Sequence, residues 1–241
     1  MKKTSHWGIY ENEQKLYTRS IVPGACFGES LVKIDDVEYR HFDPMRSKVA
    51  AAVKKKITAT GVKERDFVLY LGASHGYTVS FLSDIIGPEG IIFAVDNAYK
   101  VFRSLFYVSN ARHNIVPIYA DAAQPAQYVR FVCGVDTVYQ DVAQKGQVDI
   151  FDENFSLYAK DDALGILVVK AHSIDVAAPP AKVIDGVKKS LLAKGYTIID
   201  AKSLDPYQGA HAYIVVSKGE KKKQSRTRAA PLRVPQQSGQ E

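Results

Sequence analysis

Cysteine is scarce: Cys26 and Cys133 are the only two in 241 residues, far apart and without Cys or His at ligand spacing. This excludes a disulfide framework and leaves no metal site to expect. No stretch approaches the roughly eighteen consecutive apolar residues that a membrane span requires. The opening MKKTSHWGIYENEQK turns polar after its two lysines and lacks the apolar segment of a secretory signal, so an intracellular protein with no membrane partner is expected. Charge of one sign is also in short supply. Of the formal +6, residues Gly219–Glu241 contribute +4, from six Lys or Arg against two acids, so the body is nearly balanced. Net charge alone therefore does not identify a nucleic-acid binder. Neither an internal repeat, nor the aromatic pair of an RNA-recognition sheet, nor a zinc knuckle is present.

What remains is ordinary globular composition, 46% hydrophobic and 24% charged, in a chain long enough for one large α/β core and a small additional unit. Short segments at 15–21 and 30–34, separated by the turn-rich stretch from Pro23 to Glu29, read as a small β unit. Asp43-Pro44 suits a helix start, and apolar spacing predicts a helix over about 44–58. After Gly61, short apolar runs alternate with amphipathic stretches, the pattern of strand–helix units around a parallel sheet. Strands are predicted at 67–71, 91–95, 115–119, 137–140, 163–170, 197–203 and 211–217, with helices at 99–112, 147–158 and 180–193 among the intervals. Only Leu204–Ala210 joins the last two strands, too short for a helical crossover, so they should pair antiparallel. The expectation is an α/β, Rossmann-like methyltransferase fold, a mostly parallel seven-stranded sheet with an antiparallel last strand, plus the N-terminal β unit. The units are 1–58 for the β unit and its connecting helix, 59–218 for the main domain, and 219–241 for a basic tail too polar to order itself.

The strand at 67–71 runs into Gly72-Ala73-Ser74-His75-Gly76 and then a helix, where glycines allow a tight turn and close approach to a ligand. Alone, Gly-x-x-x-Gly is a weak signal. Asp96, ending the second strand, can accept from the ribose hydroxyls of an adenosine. Asp121, after the third strand with Ala122 beside it, can accept from an adenine amino group. Singly, each acid is as readily an ordinary loop residue; at successive strand ends they suit an adenosyl ligand. The fourth strand ends in Gln140-Asp141, the fifth in Lys170, and His211 opens the last, so three polar groups converge on one sheet edge. Methyl transfer to a hydroxyl needs an aligned acceptor oxygen, help in losing its proton and exclusion of water, and a lysine held beside a carboxylate suits that work.

These residues belong to a longer series. It includes Val22-Pro-Gly24 with Gly28-Glu29, Tyr39-Arg40, Pro44-x-Arg46-Ser-Lys48, Leu71-Gly-Ala73, Ser83-Asp84, Ile86-Gly-Pro-Glu-Gly90, Asp121-Ala122, Asp141-Val-Ala-Gln144, Lys170-Ala-x-Ser-Ile-Asp175 and Leu204-Asp-Pro-Tyr207. In order and spacing, from about Tyr17 to Lys218, the sequence resembles the fibrillarin family. The resemblance implies an S-adenosylmethionine-dependent ribose 2′-O-methyltransferase working in box C/D ribonucleoprotein particles on rRNA and possibly tRNA. A guide box C/D RNA would pair with the target RNA, a Nop-domain scaffold protein would be the direct partner, and a kink-turn-binding ribosomal-type protein would complete the particle. Without the glycine-arginine-rich extension of eukaryotic members, the chain looks like the archaeal, cytoplasmic form rather than a nucleolar one.

The resemblance further implies Lys48, Asp141, Lys170 and His211 as the catalytic set, with Lys170 nearest the nucleophilic hydroxyl and Asp141 setting its charge state and position. It implies cofactor contacts at Gly72, Ala73, Ser74, Gly76, Tyr77, Thr78, Asp96, Asn97, Asp121, Ala122, Asp141 and Gln144. Basic candidates for the RNA face are Arg46, Lys48, Lys54 and Lys145, with Lys55, Lys56 and Lys170 beside them. Read without the family, Lys48 is more simply a solvated helix lysine and His211 a strand-edge histidine. Val101, Phe102, Leu105 and Phe106 form a stripe suited to helix core or to the scaffold interface. His75 and Tyr77 stand where the family has smaller residues and would narrow the cofactor pocket. Asp96 replaces a longer glutamate, Ala123 an arginine and Ala210 an acid. Two other readings remain open at this point, a stand-alone O-methyltransferase and a non-catalytic subunit of the particle.

Overall fold

The structure, a computed structural model, describes residues 1–219. The basic tail expected from 219 onward lies, apart from Gly219, outside the described residues.

Five short strands form the first sheet: β1 (Lys2–Lys3), β2 (Ile9–Asn12), β3 (Lys15–Arg19), β4 (Leu31–Ile34) and β5 (Val37–His41), antiparallel in the order β1-β2-β3-β5-β4. The strand expected over 15–21 ends at Arg19, because the Ile21 amide leaves the ladder and donates to Asp84 Oδ1 at 3.1 Å. β5 escaped the sequence reading because its Arg40 is fully buried, a position that apolar patterning does not reveal.

The helix expected over 44–58 is much shorter. Asp43 caps a turn instead, its carboxylate accepting from the Met45 amide at 2.8 Å and its carbonyl from the Ser47 amide at 3.0 Å. Helix α1 therefore spans only Lys48–Lys54, and the chain leaves it through Lys56 at φ +57°. As a result Lys48 is the first helical residue, at the end of the helix rather than along its side.

The large sheet contains β6 (Phe67–Leu71), β7 (Ile91–Asp96), β8 (Ile115–Tyr119), β9 (Val135–Gln140), β10 (Ala159–Lys170), β11 (Tyr196–Ser203) and β12 (His211–Lys218). Their order is β11-β12-β10-β9-β6-β7-β8, parallel through β10-β9-β6-β7-β8, with β12 antiparallel to both of its neighbours. The expected seven-stranded arrangement is the one observed. Strand alternation sends successive side chains to opposite faces. Val68, Tyr70, Ile166, Val168, Tyr213 and Val215 join one apolar core with α2 (Tyr77–Ile86), while Leu69, Leu71, Leu167, Val169, Ile214 and Val216 join the other. Helix α3 (Tyr99–Ala111) inserts Leu105 into the first core; α4 (Gln147–Tyr158) and α6 (Pro180–Ala193) cover the second, and a single turn, α5 (Ala171–Ile174), follows Lys170.

A buried charge cluster fastens the small sheet to the large one. Arg40 reaches Glu29 Oε1 at 2.5 Å and Asp84 Oδ2 at 2.7 Å, and Arg112 reaches Asp84 Oδ1 at 2.6 Å, with all four side chains almost completely buried. Thr18 Oγ1 adds a bond to Asp84 Oδ2 at 2.8 Å. Asp84 belongs to α2, so the helix that follows the glycine loop is also the anchor of the β unit.

Candidate active site

The ends of β6, β9, β10 and β12 bring the implied catalytic residues together. Asp141 follows β9, and its amide donates to the Leu71 carbonyl at 2.9 Å, holding it beside the end of β6. Lys48 Nζ lies 3.0 Å from Asp141 Oδ2, and Lys170 Nζ lies 2.9 Å from Oδ1. The better-aimed hydrogen bond of Lys170 goes to the main-chain carbonyl of Asp141 at 2.8 Å, leaving Oδ1 buried without an aligned donor. One carboxylate thus holds two cations, each about one-fifth exposed.

His211 is the register partner of Lys170 across the β10–β12 ladder. Its Nδ1 lies 2.6 Å from the Gly209 carbonyl. A carbonyl only accepts, so in the neutral ring Nδ1 carries the proton and Nε2 is left as an acceptor. Burial lowers the imidazole pKa; the Gly209 hydrogen bond opposes this, Lys48 reinforces it, and Asp141 and Lys170 act in opposite senses. Lys48 is thus ion-paired with Asp141 and His211 is influenced by the three charged groups around it, which the solvated-lysine and strand-edge readings of Lys48 and His211 do not accommodate.

The glycine loop adjoins this cluster. Gly72 sits at φ +80°, and a Cβ there would come within 2.8 Å of the Asp141 carbonyl oxygen. Gly72 and Ala73 donate to the Val95 carbonyl at 2.9 and 3.1 Å, which ties the loop to the end of β7. Asp96 braces it, accepting from Ser74 at 2.8 Å and from Ala98 at 2.8 Å. Each of its oxygens keeps a lone pair for an external donor. Asp121 accepts from the Ala123 amide at 2.9 Å, so Ala123 contributes through its backbone alone. Ala122 is buried, and Asn97 and Gln144 are exposed at the rim. Gly76, at φ +90°, begins α2 without a side-chain cap, leaving first-turn amides without a side-chain acceptor.

Tyr77 departs from its expected role. Its ring packs on Phe27 (5.5 Å) and Phe81 (5.1 Å) and lies under the Arg46 guanidinium at 4.0 Å, on the β-unit side of α2. The ring is turned toward the β unit rather than toward the glycine loop. His75 is exposed beside Ser74. Thr78 is buried and donates to Ser47 Oγ at 3.3 Å, joining α2 to the start of α1.

The basic candidates separate. Arg46 and Lys145 are exposed on loops flanking the cluster. Lys54 is at the far end of α1, occupied by Glu11 at 2.9 Å and by the Gln14 carbonyl, so its charge is spent within the fold. In the α3 stripe, Leu105 is core and Phe106 is half exposed. Gln208 was not singled out from the sequence. Its Nε2 donates to the Pro44 and Met45 carbonyls at 3.1 and 2.6 Å, tying the loop before His211 to the segment before Lys48. A lone Gln in a connecting loop carries no pattern that would disclose this.

The family profile described as Fibrillarin matches residues 1–220. A fibrillarin-like rRNA/tRNA 2′-O-methyltransferase of Pyrobaculum calidifontis is 38% identical over 221 residues, covering 88% of this chain and 94% of that protein. The crystal structure of Aeropyrum pernix fibrillarin in complex with natively bound S-adenosyl-L-methionine is similar at TM-score 0.82 and 39% identity, covering 89% of this chain and 96% of that one. Fibrillarin in a crystal structure of a fibrillarin/Nop5p complex matches at TM-score 0.82 and 36% identity, over 90% and 100% of the two chains. A glycine loop beside a carboxylate that holds two lysines, carried on this sheet order and matched along nearly the whole described length, makes the chain a member of the fibrillarin family.

Proposed function

We propose that the chain is an S-adenosylmethionine-dependent RNA ribose 2′-O-methyltransferase acting on rRNA and tRNA. In this reading 59–218 is the transferase domain and 1–58 the β unit with its helix. The observation that carries it is Asp141 holding Lys48 and Lys170 directly beside the loop at Gly72.

The site fits the cofactor: Gly72 lets the loop approach the Asp141 backbone closely, the uncapped start of α2 suits a carboxylate, and Asp96 and Asp121 offer acceptors to ribose and adenine donors. When bound, it supplies the electrophilic methyl group. Asp141 keeps both lysines oriented. Lys170 stabilises negative charge developing on the acceptor oxygen, and neutral His211 offers Nε2 to its proton. Arg46 and Lys145 take phosphates of the RNA, and Lys54 leaves that set. With no base-reading motif in the chain, target choice falls to a guide box C/D RNA, with a Nop-domain scaffold and a kink-turn-binding protein completing the particle. The homologue in the fibrillarin/Nop5p structure supports the scaffold.

The test is transfer of labelled methyl to a guide-matched RNA by the reconstituted particle. Activity that requires guide and scaffold, and that Lys170→Ala or Asp141→Ala reduces by about 10² or more, is expected. Guide-independent transfer would point to a stand-alone enzyme, and assembly without transfer to a structural subunit.

A further inference from the structure

The turn between β1 and β2 presents Trp7, the only tryptophan of the chain, 54% exposed. The turn is firmly built. The Thr4 hydroxyl and amide donate to the Ile9 carbonyl at 2.9 and 3.0 Å, and the His6 amide donates to Thr4 Oγ1 at 3.1 Å. Gly8 presses on α2 so closely that a Cβ would lie 3.0 Å from Ile85 Cα. The fixed backbone thus presents about half of the indole to solvent.

Beside Trp7 opens a cavity of about 990 Å³, between the small sheet and the loops leading into β7 and β8. Lys3, Arg19, His6, His113 and Arg112 line it. Of its two acids, Asp84 is already neutralised by Arg40 and Arg112 at 2.7 and 2.6 Å, leaving Glu64. The Arg112 side chain is fully buried; its Nη1 and Nε are engaged by Asp84, Ser83 and Cys26, while Nη2 has no partner among the described residues.

We propose that this cavity binds single-stranded RNA, with a base stacked on Trp7 and phosphates taken by Lys3 and Arg19 ahead of the Arg112 guanidinium. A half-exposed indole beside a cavity lined by Lys3 and Arg19 offers a face to any base and charge to the backbone, the pairing on which sequence-tolerant strand binding relies. The site lies at the amino ends of β7 and β8, a strand length of about 20 Å from the carboxyl-end cluster. It is therefore separate from the transfer site, and its test does not depend on methyl transfer.

The full chain is titrated with a short oligouridylate while the fluorescence of the single tryptophan is followed. Saturable quenching is expected. The Lys3→Glu/Arg19→Glu double variant, checked for an unchanged melting temperature, should weaken it about tenfold or more at the same salt, and Lys170→Ala should leave it unaltered. Trp7→Ala, followed by anisotropy of labelled RNA, should lose about tenfold in affinity. RNA binding without quenching, or quenching that survives the double variant, overturns the proposal. Quenching by the scaffold protein but not by RNA assigns the face to protein and overturns it as well.

Discussion

Lys170 and His211 face each other as register partners across the antiparallel β10–β12 ladder, although forty residues separate them in the chain. Reversing the last strand places its first residue at the same end of the sheet as the last residue of β10. A parallel final strand would have carried His211 to the opposite pole.

That placement predicts a pH dependence. Burial, the largest influence, sets the His211 pKa below its ordinary 6.5, so the ring is neutral at pH 7. Methyl transfer should be constant above pH 6.5 and fall as pH drops through the depressed value. The sign for stability is the same: a base with a lowered folded pKa contributes above its unfolded value and loses that contribution on acidification. The pH–rate profile of the reconstituted particle is the check, and an acid limb unchanged in His211→Asn would assign it to another group.

Asp141→Asn keeps the shape of the side chain but removes the charge between Lys48 and Lys170. Transfer should fall by about 10² or more while binding of S-adenosylmethionine changes less, because the loop contacts of Gly72 and Asp96 remain. Single-turnover rates and calorimetric titration separate the two effects.

Gly72→Ala places a methyl group within 2.8 Å of the Asp141 carbonyl oxygen, at a φ of +80°. The expected cost is about 1–3 kcal/mol of local strain. It should appear as weakened cofactor binding in calorimetry together with a lower melting temperature. Unchanged binding would show that the loop approaches no ligand.

Gln208→Ala removes two hydrogen bonds to the Pro44 and Met45 carbonyls. Gln208 is a positioning residue, so the rate should fall several-fold with little change in melting temperature, and Gln208→Asn should restore less than the native amide does. The limb of the pH–rate profile should shift as His211 and Lys48 lose their common tether. A fall in stability without any change in that profile would make its role structural.

Arg40→Ala leaves Glu29 in the interior without its guanidinium and Asp84 with Arg112 as its remaining cation. Breaking such a buried pair costs about 3–5 kcal/mol. Differential scanning calorimetry should show a large loss of melting temperature, and limited proteolysis should cut first within the small sheet.

The parts legible in the sequence share one cause. Strands such as 67–71 and 91–95 are buried on both faces, and that condition leaves continuous apolar runs. The glycine loop was visible because only glycine adopts its backbone freely, and the order of motifs identified the family. By contrast β5, the true start of α1, the turn of Tyr77 away from the glycine loop and the tether of Gln208 were not legible. Three of these depend on a partner distant in the chain, Asp84 for Arg40, Phe27 for Tyr77 and Met45 for Gln208, while the start of α1 depends on Asp43 capping a local turn instead of the helix. The sequence by itself determined the strand–helix rhythm, the loop and the identity of the charged groups, since these follow from local burial and backbone freedom. The tertiary structure alone decided that one carboxylate holds two lysines and that His211 stands opposite Lys170, because packing and strand direction set the distances between charges.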